Sequence, residues 1–256
     1  MVSAVRKKSL GQHFLTNPET ARRIAGFLIR PTARIVEIGP GAGILTEALL
    51  QHVSQLIVVE KDESLLPDLK ERFGDRLDVR TGDALEILPG VLADVQPVSV
   101  VSNLPYNISS PITFLLCQAV DCVQEMVLMY QKEVADRIRK EPGPLHLACT
   151  AFFHVTEKMK LKPASFSPPP KVDSAVLHFE RRESFTVQPD PRFFRFCRAI
   201  FENRRKMLAR NLKRFGSVTD GIMDRLGLDA RVRVDQLTNS QLIEIYKEFE
   251  QNEIQL

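Results

Sequence analysis

The residues best equipped for chemistry in this 256-residue chain are Asn103-Leu104-Pro105-Tyr106. They follow an apolar run, Val98 to Val101, that reads as a buried parallel strand. A helix restarts after them at Ser110-Pro111, with serine as N-cap and proline at the first helical position. Open α/β sheets bind ligands at their strand ends. A side-chain amide, backbone carbonyls that face no N–H at Pro105, and a flat ring are equipment for holding a planar, amine-bearing ring there. A plain turn that happens to contain Asn and Pro is the alternative, and these four residues alone do not exclude it.

Three further strand ends carry suitable groups. The strand Arg34–Ile38 runs into Gly39-Pro40-Gly41-Ala42-Gly43 and a helix from Ile44 to His52. Glycines there let the backbone turn tightly and approach a ligand beside a helix N-terminus. Glu60 closes the strand Leu56–Glu60, about 20 residues on, where an acid can accept from both hydroxyls of a ribose. A dinucleotide site would place its third glycine at position 44, which is Ile44. The spacing G-x-G-x-G preceded by Glu37 is instead common in methyltransferases that use S-adenosylmethionine, which has no pyrophosphate. On these residues alone the dinucleotide and purely structural readings stay open. Asp83, after the weaker strand Leu77–Arg80 and Gly82, can accept from an adenine amine or simply cap the helix that begins at Ala84. With Asn103, four strand ends carry the right groups in the right order.

Composition bounds the rest. With 44% hydrophobic and 26% charged residues, the chain reads as an ordinary soluble protein with one large domain and a small appendix. No apolar run approaches membrane-spanning length, and Leu28-Ile29 is too short for a signal-peptide core. Cys117, Cys122, Cys149 and Cys197 form no C-x-x-C pair and read as reduced thiols of a cytoplasmic protein. The five histidines show no metal-ligand spacing. The net charge of +3 conceals two basic blocks on an acidic body. One holds Arg6, Lys7, Lys8, Arg22, Arg23 and Arg30 against Glu19 alone; the other, residues 192–214, sets nine Arg and Lys against Glu202. Two such blocks point to a polyanion met at defined places.

Positioning elements follow from the alternation of strand and helix. It predicts an α/β fold: a doubly wound, mostly parallel, Rossmann-like sheet, with a fifth strand at Met126–Tyr130. Asn17 caps a helix that runs through Leu28. Lys158–Lys162 and Ser174–Phe179 alternate like an antiparallel pair at one sheet edge. Gln188-Pro189-Asp190-Pro191 reads as a linker, so the expected domains are residues 1–188 and a helical, RNA-engaging domain over 189–256. In the latter a single helix over 192–214 would show one apolar face and one basic ridge including Lys206, Arg210 and Lys213. A last amphipathic segment, Leu237–Phe249, reads as packing.

Five motifs make the reading specific: Gly11-Gln12-His13-Phe14-Leu15, Glu37-Ile38-Gly39-Pro40-Gly41, Asn103-Leu104-Pro105-Tyr106-Asn107-Ile108, Gln131-Lys132-Glu133-Val134, and Phe166-Ser167-Pro168-Pro169-Pro170-Lys171-Val172-Asp173-Ser174. Together with Phe201-Glu202-Asn203-Arg204-Arg205-Lys206 they make nearly the whole chain resemble the small-subunit ribosomal RNA adenine N6,N6-dimethyltransferases. The resemblance implies cofactor contacts from His13, Leu15, Gly39, Glu60, Asp83 and Asn103, although that family more often has Asn at position 13. It implies that Asn103 and the Leu104 carbonyl hold the target amine while Tyr106 and Phe166 flank the base; core packing is the alternative for Phe166. It also implies S-adenosylmethionine as cofactor, no metal, and a monomer acting on small-subunit ribosomal RNA in a ribosomal particle. RNA contacts are expected from Arg204, Arg205, Lys206, Arg210 and Lys213. Two rivals remain: a large-subunit RNA methyltransferase, and a binding protein that kept the fold and lost the chemistry. The intact Asn103–Tyr106 stretch argues against the second.

Overall fold

A computed structural model describes residues 13–29, 31–216, 221–229 and 231–254; the arm around Lys7 and Lys8, with Gly11-Gln12, lies outside them. After β1 (Phe14–Leu15), Asn17 accepts from the backbone N–H groups of Glu19 and Thr20 and Pro18 opens α1 (Pro18–Ala25). The predicted cap is therefore present, although the helix ends before Leu28. Next come β2 (Ile35–Ile38), α2 (Ile44–Leu49), β3 (Leu56–Glu60), α3 (Leu66–Phe73), β4 (Leu77–Thr81), α4 (Ala84–Val95), β5 (Val98–Asn103), α5 (Ser109–Gln118), β6 (Val123–Gln131) and α6 (Lys132–Lys140). Ser110 is not a cap: α5 starts at Ser109, whose hydroxyl donates to the Tyr106 carbonyl and ties the first turn to the preceding loop.

β2 through β6 lie in one sheet in the order β4-β3-β2-β5-β6, all parallel to one another. Every residue of β2 and β3 is buried, as continuous apolar runs in a two-sided sheet require. The chain winds outward from β2 to β4, then returns to lay β5 beside β2. Right-handed crossovers then place α2 and α3 on one face and α4 and α5 on the other. The reversal between β2 and β5 opens a crevice at their carboxyl ends.

α7 (Pro144–Phe152) leads to β7 (Phe153–Leu161), β8 (Phe166–Ser167) and β9 (Ser174–Arg181). β9 pairs antiparallel with β6, from Gln131↔Ser174 to Glu125↔Glu180, and β7 lies outermost, which completes the order β4-β3-β2-β5-β6-β9-β7. The antiparallel edge predicted from alternation is there, with β7 starting at Phe153 rather than Lys158. β8 pairs with β1 in a separate two-stranded sheet, Phe14↔Ser167 and Leu15↔Phe166.

By packing, the chain divides into two compact units. One runs up to Ala135 and takes in His154–Arg181; the other holds Asp136–Phe153 and Arg182 onward. The boundary expected at 188 follows chain order, whereas α7 packs with α8 (Pro191–Phe201) and α11 (Asn239–Gln251), in the unit that also holds α9 (Leu208–Leu212) and α10 (Ile222–Arg225). The Phe152 ring meets those of Phe193 and Phe194, and Asn239 donates to His146 Nε2 and Thr150 Oγ1. Tyr246 and Phe249 of α11 are buried with Phe196, as its amphipathic pattern predicts.

The single helix expected over 192–214 is broken. Between Phe201 and Met207 the sequence offers no apolar residue, so a continued helix would bury nothing there. The chain instead turns at Glu202–Lys206 and folds back, burying Leu208 and Leu212. Asn211 donates to the carbonyls of Ile200 and Asn203, satisfying the open end of α8. Among the described residues, no helix is long and apolar enough to cross a membrane. Cys117, Cys149 and Cys197 are buried thiols and Cys122 a half-buried one, none of them in a disulfide.

Candidate active site

At the crevice, the ends of β2, β3, β4 and β5 bring Gly39, Gly41, Glu60, Asp83 and Asn103 around one cleft. It holds about 760 Å³ of space, counting the part continuous with solvent, within the range of small-molecule sites. Gly39 and Gly41 adopt φ of 69° and 57°, the left-handed region that other residues avoid. A Cβ on Gly41 would stand 2.7 Å from Cε1 of Phe14, so the glycine also makes room for that ring. Behind the two glycines a smaller recess is lined by Phe14, Leu15, Glu37 and Met129. Leu15 thus reaches only this recess, while Phe14 lines both it and the cleft.

Three acids differ in their surroundings. Glu60 is buried yet lines the cleft; burial pushes its carboxyl up, and the N–H groups of Asp62 (2.7 Å) and Gly41 (3.4 Å) pull it back. Asp83 both caps α4, accepting from Leu85 N at 2.9 Å, and pairs with Lys61 Nζ at 2.7 Å. The Lys61 bond, then the Leu85 N–H, hold its carboxyl below the usual range. A carboxylate has about four lone-pair sites, so it can accept once more. Glu37 is fully buried beside the glycine loop and its pKa is pushed up to about 8 by desolvation, against the bond from Thr46 Oγ1 at 2.7 Å.

Asn103 is held from its amide side. Its Nδ2 donates to the His13 carbonyl at 2.8 Å, which assigns the other amide atom, Oδ1, as an acceptor, and it has no donor partner among the described residues. The carbonyl of Leu104 likewise accepts no hydrogen bond among the described residues, as the loop's own bonds start at the carbonyls of Pro105 and Tyr106. Tyr106 donates to or accepts from Ser174 Oγ at 2.7 Å, and burial raises its phenol pKa. Its ring lies 5.3 Å from that of His13, tilted by 32°. His13 in turn donates from Nδ1 to the Pro168 carbonyl at 2.8 Å.

Phe166 is not in the cleft. It is 3% exposed and packs in the core with Leu15, Met129, Leu161 and Val176. The Phe166–Ser174 run works here as a frame: its first residues pair with β1, Pro168 holds His13, and Ser174 holds Tyr106. Sequence reasoning also passed over Phe14 and Lys61, which line the cleft. For Phe14 the signal was available, because it alternates with Leu15 in the arm. Arg204, Arg205, Lys206, Arg210 and Lys213 are not buried, but they belong to the turn, α9 and the 3-10 turn after it rather than to one ridge.

Comparison with known proteins places the chain in a family. The family model described as ribosomal RNA adenine dimethylase matches residues 4–251. A ribosomal RNA small subunit methyltransferase A of Geobacter sulfurreducens is 39% identical, over 94% of each chain. The crystal structure of a dimethyladenosine transferase from Plasmodium falciparum superposes with a TM-score of 0.80 at 25% identity, covering 94% of this chain and 99% of its own. That of the 23S rRNA methyltransferase ErmE gives 0.69 at 23% identity over 93% and 99%, a likeness of fold. Matched along nearly its whole length, the chain belongs to the ribosomal RNA adenine dimethylase family, enzymes that draw their methyl groups from S-adenosylmethionine.

Proposed function

We propose that this protein dimethylates N6 of adenosines in small-subunit ribosomal RNA, as a cytoplasmic monomer working on a ribosomal particle during its biogenesis. The observation that carries the reading is the pair of carbonyl acceptors, Asn103 Oδ1 and Leu104 O, at the end of β5, both without a donor partner among the described residues.

S-adenosylmethionine, when bound, supplies an electrophilic methyl on a sulfonium. The residues present fit it: Glu60 to accept from the ribose hydroxyls, Asp83 from the adenine amine, and the left-handed glycines, with His13, Leu15 and Asn103, to line the remainder. The target amine is a poor nucleophile, because its lone pair is delocalised into the ring. Two carbonyls accepting its hydrogens favour a pyramidal nitrogen and free that lone pair. Since His13 fixes the Asn103 amide, the acceptor needs no reorganisation at the moment of reaction. No strong base is required, as the proton becomes acidic once the methyl is attached. Tyr106, locked by Ser174, offers a face to a base taken out of its helix.

The test is to map dimethyladenosine in ribosomal RNA with and without this protein. The expected result is its loss from small-subunit RNA on deletion and return on complementation. Loss from large-subunit RNA instead would establish the rival substrate, and no change in either would refute methyl transfer.

A further inference from the structure

β7 is the outermost strand of the main sheet, and its residues alternate cleanly. Met159 and Leu161 pack toward the core, while His154, Thr156, Lys158 and Lys160 are exposed and exposed Lys162 follows. Alternate residues of a strand stand about 6.6–6.8 Å apart. Lys158, Lys160 and, just past the strand end, Lys162 therefore leave the backbone at a spacing close to the step between successive phosphates of one nucleic-acid strand.

Lysines on an edge strand also serve simply to repel another strand. That purpose needs no direction, and this row has one. β5 and β6 are parallel, β9 is antiparallel to β6, and Lys162 at the end of β7 pairs with Asp173 at the start of β9, at 2.7 Å. β7 thus runs alongside β5 in the same sense, and its C-terminal end lies at the sheet edge that carries Asn103. From Lys162 the chain passes through a 3-10 turn (Pro163–Ser165) into β8, which pairs with β1, and Pro168 then holds His13 at the cleft. The row leads to the rim of the site.

Its charges are available. Lys158 has no carboxylate partner among the described residues. Lys160 pairs with Glu157 at 3.4 Å and Lys162 with Asp173, but their side chains stay 62% and 80% exposed. Exposed pairs of this kind are weak, and a phosphate can replace them.

We propose that Lys158, Lys160 and Lys162 form a phosphate track that holds the RNA strand flanking the target adenosine. This deepens, and rests on, the reading of RNA as substrate. The test is a salt titration of binding to small ribosomal subunits purified from cells lacking this protein. It compares wild type with Lys158→Gln/Lys160→Gln/Lys162→Gln and with the matching triple Arg variant. Each phosphate neutralised on a single strand contributes about 0.7 to the logarithmic salt slope, so the Gln variant should lose about 2. The Arg variant should keep the wild-type slope, and calorimetry should show unchanged S-adenosylmethionine affinity in both. Wild type that binds and methylates the particles, beside a folded Gln variant with an equal slope, would overturn the track alone. A Gln variant that self-associates while keeping its slope would do the same, leaving the lysines as guards of the edge. Wild type that neither binds nor methylates the particles would overturn the substrate reading, and the track with it.

Discussion

Replacing Asn103 by alanine removes two interactions whose effects can be measured apart. The first is the bond from Nδ2 to the His13 carbonyl at 2.8 Å. A net contribution of about 1 kcal/mol is typical of such a bond, and in a chain of this size it moves the melting midpoint by about 2–4 °C. The second is Oδ1, which has no donor partner among the described residues and in the proposed mechanism accepts from the reacting amine. Removing one preorganised polar group from a transition state typically lowers kcat by about 10²- to 10³-fold. Leu104 O remains, as does the Tyr106 ring held by Ser174, so the KM for RNA should change little. Cofactor affinity should fall as well, because Asn103 lines the cleft beside Gly39 and Glu60. The assay is single-turnover transfer of labelled methyl to RNA, with cofactor raised until the rate saturates, beside a thermal melt of each variant. A folded Asn103→Ala that methylates at the wild-type rate would refute the assignment. So would a variant whose whole defect lies in the KM for RNA.

Three other outcomes are expected. Glu60→Ala should weaken S-adenosylmethionine binding by roughly 1.5–3 kcal/mol, the range for charged hydrogen bonds; calorimetry showing NAD bound tightly and S-adenosylmethionine not at all would overturn the cofactor site. Glu37, with its folded pKa near 8 against an ordinary 4.5, binds an extra proton in the folded state between those values, so stability falls as pH rises through that window. Glu37→Gln removes this dependence, and its melting midpoint should gain on wild type across the window; a constant difference would show that Glu37 folds ionised. Reversing Lys206, Arg210 and Lys213 to Glu should flatten the salt dependence of particle binding by about 0.7–0.9 for each phosphate that is no longer neutralised, with S-adenosylmethionine affinity intact; equal slopes in a variant whose circular dichroism is unchanged would mean these three side chains are merely solvated.

The order of groups around the cleft is legible in the sequence for a topological reason. Parallel strands joined by right-handed crossovers must end on the same edge, so Gly39, Glu60, Asp83 and Asn103 converge whatever the details of packing. The Asn17 cap is legible because its bonds reach only to Glu19 and Thr20. The break after Phe201 was written in the apolar gap before Met207, but it took the burial of Leu208 and Leu212 to show that the gap outweighed helical periodicity. Other features depend on segments distant in the chain. The Asn103 amide is oriented by a carbonyl 90 residues away, Tyr106 by a hydroxyl 68 away, and His13 by a carbonyl 155 away. Phe166 is drawn into the core by Leu15, Met129 and Val176, and α7 leaves the sheet's unit for aromatic partners near Phe193. Propensity, capping and periodicity act over a few residues, so they supply the groups of this site; which atoms of those groups are left bare for a substrate is decided by interactions that close only when the chain has folded.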